Sequence, residues 1–276
     1  MVFRHLGATL GTLSILLMPP LAADASVRLP VSFHRQEHSL SCEIATLKMA
    51  LGAHGVDVSE SELIAKLPFD PTPKEAGVWG NPNEGFVGII NGTMLGTGYG
   101  VYWDPIAKVG NDYAPTHVIK HGSASEVARH IDSGNPVIVW GYYGRRAVHS
   151  WRTPAGESIK AVNGEHTRIV YGFDGTADNP THFYLIDPID GHMSWSTEEF
   201  MHNWSALNHH AVVVLPPRTW IRVIGDIKVW EVDISTNTRQ WVTTWDIFEA
   251  RGGTSQAIQS VTSEELLRYT VGTDIL

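Results

Sequence analysis

Two kinds of apolar spacing divide this sequence, and they come in a fixed order. After a short entry strand at Val27–Phe33, helical spacing comes first. Ile44, Leu47 and Leu51 share one face of a helix predicted to start at Cys42 and run to His54, with Ser41 as N-cap and Gly55 as its stop. Ser59-Glu-Ser-Glu62, followed by Leu63, Ile64 and Leu67, predicts a second helix that opens on a capping box. Ser123 to Ser133 predicts a third, ended by Gly134. Strand patterns follow at Pro136–Trp140, His166–Phe173, His182–Ile186 and His210–Leu215. Helices before strands argue against alternating βαβ units. They predict an α+β domain whose helices pack on an antiparallel sheet.

The ends of the chain read differently from this middle. Arg4 and His5, the uncharged run Leu6–Met18, Pro19-Pro20 and the small residues Ala23 and Ala25 form the pattern of a signal peptide, residues 1–25, cleaved after Ala25. The run is too short to span a bilayer, and no later stretch is long and apolar enough, so the mature chain is expected to carry no transmembrane segment. Pro216-Pro217 separates a main domain, 26–216, from a small mixed module, 217–276. That module holds Trp220, Trp230, Trp241 and Trp245, four of the ten tryptophans. So small a unit needs large apolar side chains for its core, while a stacked Trp face would suit contact with a cell wall. Within the main domain, Pro68–Gly100 is rich in Gly, Pro and Asn. So long a loop either wraps a cleft or is packed down by its aromatics, Trp79, Phe86 and Tyr99 among them.

A net charge of −9 gives no global basic field for nucleic acid. The single cysteine, Cys42, excludes a disulfide framework and cysteine-based zinc sites. In an exported protein a lone thiol is either a buried small hydrophobe or a reactive group. Its place at a helix start favours the second, because free N–H groups there stabilise an anion and the Cys42 N–H can face an oxyanion. Gln36, six residues upstream, can add a side-chain amide donor. His166 opens one strand and Asp187 closes another 21 residues later, so neighbouring antiparallel strands can bring base and carboxylate together. Asp174 and Asp190 are rival acidic partners. Glu43 would oppose a thiolate next to it and is expected to point away. The 14 histidines carry no metal-site signature, and no metal or cofactor is expected.

These residues sit in longer motifs. Gln36-Glu-His-Ser-Leu-Ser-Cys42-Glu43-Ile-Ala-Thr-Leu-Lys-Met-Ala-Leu51 resembles the nucleophile motif of the bacteriocin-processing-peptidase-like cysteine peptidases, a papain-fold group. The Cys-Glu pair is similar to the exported bacterial branch, where other members have Cys-Gly. Gly80–Gly88, Gly98–Tyr102, Gly134–Trp140, Glu165-His166 with Val170–Asp174, and Leu185–Gly191 resemble further segments of that branch, in order. The resemblance spans about 28–215 and implies a papain-like fold. It also implies Cys42 as nucleophile, His166 as general base, Asp187 as its orienting partner and Gln36 as oxyanion donor, acting on a peptide or protein substrate. One departure is local: Ser39-Leu-Ser41 stands where a Leu-Pro-Thr-Gly-like run is expected. With no Walker motif and no second hydrophobic span in this sequence, a transporter is not expected. The resulting expectation is an exported cysteine peptidase, with amidase or transpeptidase chemistry close in class. The alternative is a catalytically inert binding protein or cell-wall adaptor.

Overall fold

The computed structural model describes residues 26–233, 236–251 and 253–276; the signal pattern at 1–25 lies outside the described residues. The chain enters through β1 (Ser26–Arg28), shorter than the strand expected over Val27–Phe33. Pro30 explains the difference, since it has no N–H to extend the ladder.

Helix α1 (Cys42–Ala53) follows, with nine buried residues that include Cys42, Glu43 and Thr46 as well as its aliphatic side chains. A helix buried on nearly every side is central to a fold rather than a cover on it. Helix α2 (Glu60–Lys66) opens on the expected capping box: Ser59 accepts from the Glu62 N–H, and the Glu62 carboxylate accepts from the Ser59 N–H. Two-residue strands β2 (Phe69–Asp70) and β3 (Phe86–Val87) pair in parallel inside the Gly/Pro stretch. Trp79, Phe86, Tyr99 and Tyr102 are buried there, so most of these aromatics pin the stretch to the domain.

Beyond this come α3 (Trp103–Gly110), β4 (Thr116–Ile119), α4 (Ala124–Asp132), β5 (Val137–Arg152), β6 (Ser158–Thr176), β7 (Asn179–Asp187), β8 (Gly191–Ser196), α5 (Thr197–Trp204) and β9 (Ala211–Val214). The main sheet runs β4-β9-β5-β6-β7-β8, with β1 also on β6, and every pairing is antiparallel. Its two faces are both covered. Ile138, Trp140, Ile169 and Ile186 pack with α1 and α3, while Val137, Val139, Val170 and Leu185 pack with α4 and α5. The alternation of strand side chains sorts the continuous apolar run Val137–Trp140 into these two cores.

The β5–β6 hairpin is the spine of the sheet. Its register shifts between Tyr142 and Ala147, so Tyr143–Arg146 bulge out opposite Gly164. Gly164 has φ +71°, and a Cβ there would lie 2.4 Å from the Tyr143 carbonyl oxygen, so only glycine fits. Glu165 and His166 come immediately after it.

A second sheet follows, built from β10 (Thr219–Val223), β11 (Val229–Asp233), β12 (Thr238–Val242), β13 (Ile258–Val261) and β14 (Thr270–Val271) in the order β13-β10-β11-β12-β14. With helices α6 (Trp245–Ala250) and α7 (Ser263–Leu266), it encloses a small core of its own, formed by Trp220, Val229, Val242 and Phe248.

Candidate active site

Cys42 is the first residue of α1 and is 5% exposed. Ser41 holds the N-cap position but does not cap the helix; its hydroxyl donates to Glu60 Oε2 at 2.8 Å and ties the helix start to α2. The thiol donates to Glu43 Oε2 at 3.3 Å. Glu43 is therefore turned inward, against expectation. It is fully buried, and its other oxygen accepts the Val101 N–H at 2.7 Å, so a backbone donor in the sequence-distant Gly/Pro stretch fixes its direction. Glu165 faces the same point: a Cβ on Gly100 would lie 2.6 Å from both Glu43 Oε1 and Glu165 Oε2.

Burial pushes the Cys42 thiol well above its ordinary range, and the charges of Glu43 and Glu165 push it further; the Thr167 N–H and hydroxyl pull the other way. The helix start does not produce the depressed thiol that its position suggested, because desolvation and two carboxyls outweigh it. Burial also raises Glu43 to about 7, against the pull of the Val101 N–H. Glu165 is raised by burial and by Glu43.

His166 and Asp187 meet as the strand reading anticipated. Strands β6 and β7 are antiparallel neighbours, and one step past the Ile169–Ile186 pair Asp187 stands across from Arg168, with His166 two residues along the same face. His166 Nε2 is 3.0 Å from Asp187 Oδ1, which also accepts the Ile189 and Asp190 N–H groups. Arg168 Nε lies 2.8 Å from Asp187 Oδ2, an ion pair in which neither side chain is more than 4% exposed. Burial works to raise Asp187, but the hydrogen bond and charge of His166, then Arg168 and the Ile189 N–H, bring it down to about 2. Burial lowers His166 against the opposing pull of Asp187. The rival Asp174 pairs with Arg28 at 2.8 Å instead.

Gln36 is held in place by its N–H, which donates to Pro188 O at 3.0 Å, just past Asp187. Its side-chain Nε2 donates to His38 O and Ser39 O at 2.8 and 3.1 Å. Both amide hydrogens are thus directed at backbone carbonyls.

Gln36, Cys42, Tyr143, Glu165, His166 and Ile189 line one cleft of about 160 Å³. Three of the four residues picked from sequence reach this cleft, and Asp187 backs His166 from behind. Among the described residues the thiol makes no hydrogen bond to His166. Sequence reasoning missed Arg168, Tyr143 and Glu165. Tyr143 stands edge-on to His166 at 5.5 Å. Its bulge has no periodic signal, but Arg168 was recoverable as the residue two past His166 on the same strand face.

A helix-borne cysteine, a histidine–aspartate pair on an antiparallel sheet and helices on both faces define the papain-like α+β fold of cysteine peptidases. The profile of the Peptidase_C39-like family matches residues 28–212, and the chain belongs to that family. It is 32% identical to the uncharacterized Bacillus subtilis protein YvpB over 180 residues, covering 63% of this chain and 68% of YvpB. Among solved structures it is similar to a Bacillus anthracis protein described as a C39-like peptidase. That likeness has 25% identity and a TM-score of 0.60, and covers 70% of this chain and 98% of the other. The peptidase domain of Streptococcus ComA, a bifunctional ABC transporter, aligns at 16% identity with a TM-score of 0.41, over 67% of this chain and 98% of that domain. Among the described residues, no helix is long and apolar enough to cross a membrane.

Proposed function

We propose that this protein is an exported cysteine hydrolase that cleaves peptide bonds, with the segment 1–25 as its export signal and 217–276 as an appended module. The observation that carries the reading is that His166, backed by Asp187, lines one cleft with Cys42, on a cysteine-peptidase framework. Asp187 holds Nε2 of the imidazole, which leaves Nδ1 to serve the thiol. Reaction starts when Sγ turns from Glu43 to His166 and gives up its proton there. The thiolate then bonds to the substrate carbonyl carbon, and the Cys42 N–H and the Gln36 amide, once swung off its two carbonyls, hold the oxyanion. The C–N bond breaks as His166 returns the proton to the leaving amine. Water, deprotonated by His166, then opens the thioester. An amine in place of that water would give transpeptidation.

Cys42→Ala is expected to abolish cleavage of a peptide library by the secreted protein while its circular dichroism stays unchanged. Hydrolysis retained by that variant would remove Cys42 as nucleophile.

A second reading is supported by the resting geometry itself. A thiol bonded to Glu43 and a Gln36 amide engaged by carbonyls suit an inert domain used for binding, with the Trp-bearing C-terminal sheet touching the cell wall. An electrophilic peptide probe separates the two. Covalent capture that needs His166 favours the hydrolase; capture by none of the variants favours the adaptor.

A further inference from the structure

Beside the thiol, Glu165 is 3% exposed, and neither of its carboxyl oxygens has a hydrogen-bond partner. A buried carboxyl with nothing to accept from is costly, so such a group calls for an occupant of its site. Glu43 acts on it through its charge. The Cys42 sulfur and one oxygen each from Glu43 and Glu165 all lie within 4.8 Å of one another.

We propose that Cys42, Glu43 and Glu165 form a binding site for a divalent metal ion of the zinc class, which holds the nucleophile in a latent, metal-bound state. The spacing suits such an ion. Zinc bonds of about 2.3 Å to sulfur and 2.0–2.2 Å to oxygen place tetrahedral S and O ligands about 3.5 Å apart. The Cys42 Sγ to Glu43 Oε2 separation is 3.3 Å. The Val101 N–H fixes the outer oxygen of Glu43 and so aims Oε2 at the sulfur, as outer-shell donors do for metal ligands. Gly100 leaves the room that the two carboxyls occupy, where any side chain would collide with both. A thiolate with two carboxylates would bury three negative charges, of which a dication cancels two. The thiolate selects a borderline-soft ion over magnesium or calcium. Cys42 and Glu165 both line the cleft, which leaves a coordination position open to water. The other group with metal-ligand spacing among the described residues, His34, Glu37 and Glu60, is already satisfied internally: Glu60 accepts from His34, from the Glu37 N–H and from the Ser41 hydroxyl.

The site stands independently of the hydrolase reading, whereas latency rests on it, so the test reads binding apart from activity. Cobalt(II) titrated into the chelator-treated protein is expected to give a thiolate-to-metal charge-transfer band and tetrahedral d–d absorption, saturating at one equivalent and displaced by zinc. Cys42→Ser should lose the charge-transfer band. Glu165→Gln and Glu43→Gln, each checked for an unchanged circular dichroism spectrum, should weaken binding at least about tenfold. His166→Ala should bind as the wild type does. Loss of binding in His166→Ala with retention in Glu165→Gln would overturn the proposal, because the metal would then sit on thiol and imidazole. Absence of the charge-transfer band in the wild type would overturn it outright. Zinc should stop peptide cleavage, and a chelator should restore it. Cleavage that continues with the metal bound removes latency and leaves the site, whereas binding by a protein that cleaves nothing counts against the hydrolase reading alone.

Discussion

His166 Nε2 and Asp187 Oδ1 stand 3.0 Å apart, with no more than 4% of either side chain exposed. The pair is held from behind as well, because Arg168 Nε meets the other Asp187 oxygen at 2.8 Å and the Ile189 and Asp190 N–H groups donate to the same Oδ1 that meets His166. One carboxylate therefore orients the imidazole and compensates a buried guanidinium.

That double duty makes Asp187→Ala costly to the fold as well as to the site. Removing one partner of a buried ion pair leaves Arg168 uncompensated, at a cost of about 3–5 kcal/mol. Urea unfolding should show a midpoint lowered by that free energy divided by the m-value. Arg168→Met with Asp187→Ala should recover part of the loss, and a double variant no more stable than the single one would show that the pair does not carry it.

The same carboxylate sets an acid limit. Its folded value of about 2 lies below the ordinary carboxylate range near 4, so the stability it supplies is fully present above about pH 4 and is lost as pH falls from there through 2. The contribution is on the order of 2 kcal/mol. Stability curves of the wild type and Asp187→Asn measured from pH 6 to pH 2 should converge toward the acid end; parallel curves would reject the assignment.

Gly164 is expected to tolerate no side chain. Alanine there meets both a positive φ and the Tyr143 carbonyl at 2.4 Å, which together should cost about 1–3 kcal/mol or more. Since Glu165 and His166 follow directly, Gly164→Ala should also reduce labelling of Cys42 by a peptide electrophile. A variant with wild-type melting and labelling would show that the hairpin bulge is not what places them.

Among the described residues, the apolar clusters of the main domain draw none from beyond Leu215, and the C-terminal sheet has its own cluster. A chain ending after Pro216 is accordingly expected to melt cooperatively, with the β-rich far-ultraviolet spectrum retained. A broad, non-cooperative transition would show that the second sheet is needed for the first to fold.

How much was legible in advance follows from the range of each physical rule. The helix starting at Cys42, the Ser59–Glu62 capping box and the strand His166–Phe173 are set by caps and by side-chain periods that act within a turn or a few residues. Helix α3 and strand β8 went unread, as did α5, although Ser196-Thr-Glu-Glu199 carries a capping box at its start; the outer half of the β5–β6 hairpin was missed because exposed polar residues hide the strand.

The candidate nucleophile, base, acid and amide were likewise visible as residue types on definable elements, because a helix start and two adjoining strands are local facts. The electrostatics of the site were decided only in three dimensions. Glu43 comes directly after Cys42, yet its inward turn depends on the Val101 N–H, and the second carboxyl at the thiol, Glu165, comes from a strand 122 residues further on. Burial and charge act through space, so the sequence by itself determined which groups could meet at Cys42, and the tertiary packing alone decided that burial and two carboxyls raise its thiol where the helix start would lower it.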